Sequence, residues 1–278
     1  MRKPIIQKVK KVVIKIGTNV LTNNNGLLDK AIIKELAKQV LQLRIKGYYV
    51  AIVSSGSIGS GLGELGIKAR PKTLPKLQAA AAVGQCKLIS FYDECFTKQG
   101  YHAAQLLLTR QDFEDRRRYL NTSNTIHALF KLNTIPIINE NDTVSVDEIA
   151  FSDNDILSAL VTNLLQAELL IILSSVDGLY TEITHDGKCA KMLKQVDSVT
   201  PEIKRLAFNV KTKMGLGGMQ SKLEAVSVVT KAGEAVIIAN GRKKDVLIKI
   251  FDGGDEGTLF LPAELKMTSR KRWIGFTV

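Results

Sequence analysis

Short β-branched runs that alternate with amphipathic helical runs constrain this chain most. Val9 to Ile16 is rich in Val and Ile and stops at Gly17, as a buried strand does. Asp29 then caps a helix that runs to about Lys46, with Ile33, Leu36, Ala37, Val40 and Leu41 on one face and Gly47 ending it. Strand follows helix again through Tyr48 to Val53, Lys76 to Lys98, Tyr101 to Leu108, Asp112 to Lys131, Thr134 to Ile138, Asn154 to Leu165 and Leu169 to Ser174. Alternation of this kind predicts an α/β fold, a three-layer αβα sandwich with a mostly parallel central sheet. After Ser174 the rhythm changes. Asp177-Gly178 and Asp186-Gly187 mark turns around a run from Leu179 to Thr184. A glycine loop at Gly215 to Gly218 leads into a helix to about Lys231, Ala235 to Ala239 is a strand, and short strands near Gly257 to Leu261 and Arg272 to Val278 close the chain.

Polar residues gather where strands end and helices begin. The apolar run Ile135 to Ile138 passes directly into Asn139, Glu140, Asn141 and Asp142, and Asp153, Asn154 and Asp155 stand just ahead of the next helix. In parallel α/β sheets, ligands sit at strand C-termini and helix N-termini. Amides mixed with carboxylates predict a small polar ligand that carries both donors and acceptors.

Three further segments carry chemistry. Lys15-Ile16-Gly17 ends the first strand, where a glycine lets backbone N–H groups approach an anion and the lysine adds a charge; a solvated turn lysine fits the same pattern. Ser54-Ser55-Gly56-Ser57 follows a strand and opens a helix, as an anion site or as a plain helix cap. Gly215 to Lys222 is a glycine loop before a helix with a lysine one turn in; the spacing is not that of a P-loop, but flexible backbone N–H groups, a helix dipole and an ammonium still suit a phosphate cradle, with a surface turn as the alternative. Gly61, Gly63 and Gly66 spell the dinucleotide fingerprint, but they lie beyond the strand end and no acidic residue occurs between Ile67 and Ser90 to hold a ribose, so they are read as packing and turn glycines. Lysines, glycine turns and an acidic organiser, with no histidine base or nucleophile pair, suit phosphoryl transfer, which needs positioning and positive charge. A carboxylate acceptor needs no general base, because it is ionised at neutral pH.

Composition closes off other classes. The 278 residues, 45% of them hydrophobic, bury a substantial core, and no apolar stretch is long enough to span a bilayer. The basic-then-apolar N-terminus reads as a first strand and not a signal peptide. Cys86, Cys95 and Cys189 are far apart and read as free thiols in a reducing, cytoplasmic setting; His102, His127 and His185 offer no metal-ligand spacing. A net charge of +12 fits either nucleic acid or anionic small molecules, but the basic residues are scattered and aromatics are only 6%, so stacking platforms are scarce.

Read together, VVIKIGTNVLT (12–22), VSSGSIGSG (53–61), LLLTRQDFEDRRRYLN (106–121), PIINENDTV (136–144), SDNDILSALV (152–161), the DGLY turn (177–180), GGMQSKLEA (217–225) and RKRWIGF (270–276) resemble the blocks of the glutamate 5-kinase branch of the amino acid kinase family, in order and over nearly the whole chain. The INEND and DND pair is the most specific part. The resemblance implies ATP-dependent phosphorylation of the γ-carboxylate of L-glutamate, the first step of proline biosynthesis, with Mg2+ accompanying ATP and its protein ligands unknown. It implies that Ser55, Asn139, Asp142 and Asn154 bind glutamate, that Lys15 and Lys222 hold the ATP phosphates, and that Asp155 orients both lysines. Gly17, the pair Ser174 and Ser175, and the loop Leu216, Gly217, Gly218, Met219, Gln220, Ser221 and Lys222 are then nucleotide contacts. Ser175 stands where such chains usually have aspartate, and Leu216 where threonine is common. One kinase domain is expected, with a glutamate-binding half over about residues 1–165 and a nucleotide-binding half over about 166–278. The C-terminal PUA domain of many such chains is not expected, nor are nucleic-acid or membrane partners. A homo-oligomer inhibited by proline is expected. The alternatives are a carbamate, acetylglutamate or uridylate kinase of the same family, and a non-catalytic basic protein associated with RNA.

Overall fold

A computed structural model describes residues 2–23, 25–144, 154–181, 191–209, 218–264 and 267–277. In chain order its elements are α1 (Arg2–Ile6), β1 (Lys11–Ile16), α2 (Thr18–Leu21), α3 (Lys30–Ile45), β2 (Tyr49–Ser54), α4 (Ser57–Glu64), α5 (Leu74–Phe96), β3 (His102–Leu108), α6 (Arg110–Glu114), α7 (Arg116–Lys131) and β4 (Thr134–Glu140). They continue through α8 (Asn154–Leu165), β5 (Leu169–Ser174), β6 (Gln195–Val196), α9 (Pro201–Asn209), α10 (Gly218–Lys231), β7 (Ala235–Asn240), α11 (Val246–Phe251), β8 (Thr258–Phe260) and α12 (Ser269–Thr277). Residue contacts gather the chain into two compact units, one of Ile16–Asn154 and one that joins Met1–Lys15 to Asp155–Val278.

In the Ile16–Asn154 unit the strands lie in the order β3-β4-β2, all parallel. The register of β3 on β4 runs from His102 opposite Thr134 to Leu108 opposite Glu140, so both strands end level with the acidic segment. All seven residues of β4 are buried, and its stretch Ile135 to Ile138 accordingly reads as a continuous apolar run and not as an alternation. The predicted cap of α3 is present: the Asp29 carboxylate accepts from the backbone N–H groups of Ala31 (3.2 Å) and Ile32 (3.3 Å), and the expected face of Ile33, Leu36, Ala37, Val40 and Leu41 is buried. Helices α4 and α5 pack backbone to backbone. A Cβ at Gly61 would lie 1.8 Å from the Ala80 carbonyl oxygen, and one at Gly84 would lie 1.8 Å from that of Ser57. Gly61 is therefore a packing glycine, as the sequence indicates.

In the other unit the strands lie in the order β1-β5-β7-β8-β6. Strands β5 and β7 are parallel, with Ser174 opposite Asn240, while β7 and β8 are antiparallel. The α/β class and the mostly parallel sheet are as expected, and both ends of this unit depart from the sequence reading. Residues 2–6 form a helix where the N-terminus reads as leading straight into a strand. The Arg2 guanidinium holds it by donating to the carbonyls of Gly254 (2.7 Å), Glu256 (2.7 Å), Gly257 (3.1 Å) and Lys194 (3.3 Å). At the other end, the expected strand from Arg272 to Val278 is the helix α12. Arg272 is buried there and donates to the Glu234 carboxylate at 2.6 Å and to the Met267 carbonyl at 3.0 Å. A partner as distant in sequence as Glu234 outweighs the local β-propensity of Trp273, Ile274 and Phe276. The run expected from Leu179 to Thr184 is described only to residue 181, where Tyr180 bridges to Met192.

Candidate active site

Strand β2 ends at Ser54, and Gly56 turns the chain into α4 with φ +103°, a conformation that an L side chain rarely adopts. Ser55 and Ser57 flank this turn. Strand β4 delivers Asn139 at its end, and Asn154 opens α8. Asn154 Nδ2 donates to Ser55 Oγ and to Asn139 Oδ1, both at 2.9 Å. Ser57 Oγ donates to Asp142 Oδ2 at 2.9 Å. Within the Ile16–Asn154 unit, three segments distant in sequence thus contribute side chains to one polar cluster. Among the described residues, the buried Asn139 Nδ2 and Asn154 Oδ1 have no hydrogen-bond partner. One is a donor and the other an acceptor, and reversing both amides together leaves the same complement. Buried polar atoms are normally satisfied. A ligand carrying both a cation and a carboxylate matches this pair.

The second cluster belongs to the other unit and centres on Asp155 in the first turn of α8, next to Asn154 in the chain. Its Oδ1 lies 2.5 Å from Lys15 Nζ, and its Oδ2 lies 3.0 Å from Lys222 Nζ and accepts from Ser221 Oγ at 3.0 Å. Lys222 Nζ also donates to the Gly218 carbonyl at 2.7 Å, across the first turn of α10. Lys15 and Asp155 are only 4% and 3% exposed, which decides that this is no surface ion pair. Burial pushes the Asp155 carboxyl up, but attraction and hydrogen bonds from the two lysines outweigh it and bring its pKa down to about 2. The array is a fixed anion between two directed ammonium groups, a geometry suited to gripping phosphates.

Gly17 follows β1 in extended conformation at the start of α2. Ser174 closes β5, and its carbonyl accepts from the Gly241 N–H at 2.9 Å. Ser175 follows it, and Gly218, Met219, Gln220 and Ser221 start α10. Leu216 and Gly217 lie outside the described residues, as does Asp153. Two contacts are not legible in the sequence. One is that of Ser57, which stands in the Ser54 to Ser57 segment read as an anion site or a cap and instead donates to Asp142. The other is that of Asp177, read only as a turn residue. Its Oδ1 accepts from Asn240 Nδ2 at 2.8 Å and its Oδ2 lies 3.0 Å from Lys243 Nζ. Burial pushes this carboxyl up, yet Asn240 and Lys243 hold it below the ordinary aspartate value.

Comparison with known proteins gives this geometry its context. The family model described as "Amino acid kinase family" matches residues 10–240. A glutamate 5-kinase from Geobacter sp. (strain M21) is 48% identical over 278 residues, covering 100% of this chain and 74% of that protein. One from Thermoanaerobacter sp. (strain X514) is 45% identical over 266 residues, covering 96% and 72%. Among solved structures, a carbamate kinase from Giardia lamblia bound to AMP-PNP has a TM-score of 0.62 at 19% identity, covering 92% of this chain and 99% of that one. The UMP kinase from Bacillus anthracis has a TM-score of 0.60 at 17% identity, covering 94% and 99%. These two show a shared fold, whereas the first two share sequence along the whole chain. The chain belongs to the amino acid kinase family and, within it, to the glutamate 5-kinases.

Proposed function

We propose that this chain transfers the terminal phosphoryl group of ATP to the side-chain carboxylate of L-glutamate, forming γ-glutamyl 5-phosphate and ADP and so beginning proline biosynthesis. The observation that carries the reading is the Lys15–Asp155–Lys222 array, in which one buried carboxylate aims two ammonium groups. A glutamate carboxylate oxygen attacks the γ-phosphorus, the bond from phosphorus to the β,γ-bridging oxygen breaks, and ADP leaves with the electron pair. No proton has to be removed from the acceptor. Lys15 and Lys222 stabilise the charge on the moving phosphoryl group and on the leaving oxygen, and Asp155 keeps them directed.

In this reading Ser55, Asn139, Asp142 and Asn154 bind glutamate: Asp142 and the free amide oxygen take the ammonium, and the free amide N–H takes a carboxylate. Gly17, Ser174, Ser175 and the segment Leu216 to Lys222 bind the nucleotide. The Ile16–Asn154 unit is then the acceptor half and the unit joining Met1–Lys15 to Asp155–Val278 the nucleotide half. Mg2+ supplies charge neutralisation on the phosphates when bound. Among the described residues there is no group of three or more His, Cys, Asp or Glu side chains that would hold a metal. Proline, which keeps the α-carboxylate and an ammonium but has no γ-carboxylate, occupies the ammonium-binding end without reacting, and the active species is a homo-oligomer. No described helix is long and apolar enough to cross a membrane.

An acceptor panel tests the reading. With ATP present, ADP release is expected with glutamate and not with carbamate, N-acetylglutamate or UMP. Asp142→Ala or Asn154→Ala is expected to raise the glutamate KM roughly 10-fold or more, since a lost substrate contact costs about 1–3 kcal/mol, and to leave the ATP KM in place. Millimolar proline is expected to raise the apparent KM for glutamate alone. Turnover with another acceptor, or a variant that loses ATP affinity and keeps glutamate affinity, contradicts the assignment.

A further inference from the structure

Asp142 does not present its carboxylate unaided. It sits just beyond β4 on a segment tied on both sides: the Asn141 N–H donates to the Leu108 carbonyl at 2.9 Å, and Gln78 Nε2 donates to the Thr143 carbonyl at 3.3 Å. These bonds fix the backbone, and a side chain also meets the carboxylate. Ser57 supplies that contact at 2.9 Å, from a position 85 residues away in sequence. Ser57 is itself buried, and its backbone is closely packed: its carbonyl oxygen lies so near Gly84 that a Cβ there would be 1.8 Å from it. A donor of this kind fixes the direction of the carboxylate, which matters when the partner is an ammonium group that must be met end-on.

We infer that Ser57 is a positioning residue that sets the enzyme's selectivity for an ammonium-bearing acceptor by orienting Asp142. The inference rests on the proposed glutamate-binding role of Asp142. It assigns to Ser57 a part in substrate recognition that contact with substrate does not require. A serine needed only to start α4 would influence stability and would not distinguish between ligands.

Steady-state kinetics separate the two roles. For Ser57→Ala the glutamate KM is expected to rise about fivefold to tenfold, the loss of one charge-assisted hydrogen bond, with kcat and the ATP KM held. Ser57→Cys, which keeps the size and weakens the donor, is expected to behave like Ser57→Ala, and Ser57→Thr, which restores a hydroxyl, is expected to return the KM toward wild type. The decisive arm uses glutarate, which is glutamate without its amino group, as a competitive inhibitor: its inhibition constant is expected to be the same in wild type and Ser57→Ala. An unchanged glutamate KM in both the Ala and Cys variants overturns the inference. So does an equal loss of glutarate binding, or a drop in thermal midpoint and kcat with no change in KM. Wild-type enzyme that forms no acyl phosphate from glutamate removes the underlying reading, and the inference with it, before any variant is compared.

Discussion

Asp155 is a buried carboxylate whose ionised form is stabilised by Lys15 and Lys222. Its pKa falls from 3.8 to about 2, burial working against the shift and the lysines producing it. A depressed carboxyl pKa contributes stability that is present above the unfolded value and is lost as pH falls through the folded one. The contribution is about 2 kcal/mol at neutral pH, and about 1 kcal/mol of it is gone by pH 3 on the standard conversion. Asp155→Asn removes the titrating group and leaves two ammonium groups facing a neutral amide. The stability gap between wild type and this variant, measured by urea denaturation, is therefore expected to narrow between pH 5 and pH 3. Parallel pH profiles for the two proteins contradict the coupling. The same array makes a kinetic prediction. Lys15→Ala or Lys222→Ala is expected to lower kcat by ~100-fold or more with little change in glutamate binding, because each removes charge stabilisation realised mainly in the transition state. Near-wild-type turnover in a single-turnover assay sinks the phosphate role.

At the scale of elements, α4 and α5 show how packing supports the acceptor cluster. Gly84 and Gly63 make opposite predictions. A methyl at Gly84 meets the Ser57 carbonyl at 1.8 Å and the Gly61 backbone nitrogen at 2.5 Å, whereas one at Gly63 meets only the Leu27 side chain, at 3.7 Å. Gly84→Ala is expected to destabilise by about 1–3 kcal/mol or more and to raise the glutamate KM by displacing Ser57. Gly63→Ala, in a helix with room for the methyl, is expected to stabilise by about 0.5–1 kcal/mol. Equal thermal midpoints for the two variants contradict the packing account. Much at this scale is legible in the sequence. The cap at Asp29, the buried face of α3, the continuous burial of β4 and the packing role of Gly61 follow from local pattern. The Ser57–Asp142 contact and the Arg272–Glu234 pair do not, because each joins residues brought close by tertiary structure alone. Local pattern at the C-terminal end therefore predicts a strand where a buried arginine anchors a helix.

For the whole molecule, net charge is a coarser guide than it looks. The excess of 39 Lys and Arg over 27 Asp and Glu counts arginines that are structural. Arg2 is bound to four carbonyls, Arg44 donates to the carbonyls of Tyr48 (2.9 Å) and Phe130 (3.2 Å), and Arg272 is paired with Glu234. None of the three is available to a polyanion. The division of the chain is also beyond local pattern, since the N-terminal segment up to Lys15 groups with the part that starts at Asp155. The polar segments at strand ends and helix starts are legible in the sequence, because both kinds of boundary are visible there. The measurement that bears most directly on the central claim is hydroxylamine trapping of the product. Protein incubated with ATP, Mg2+, glutamate and hydroxylamine is expected to form glutamyl hydroxamate in step with ADP, and Lys222→Ala is expected to form it ~100-fold more slowly. ADP release without hydroxamate, or hydroxamate formed at equal rates by wild type and Lys222→Ala, contradicts phosphorylation of a carboxylate by this array.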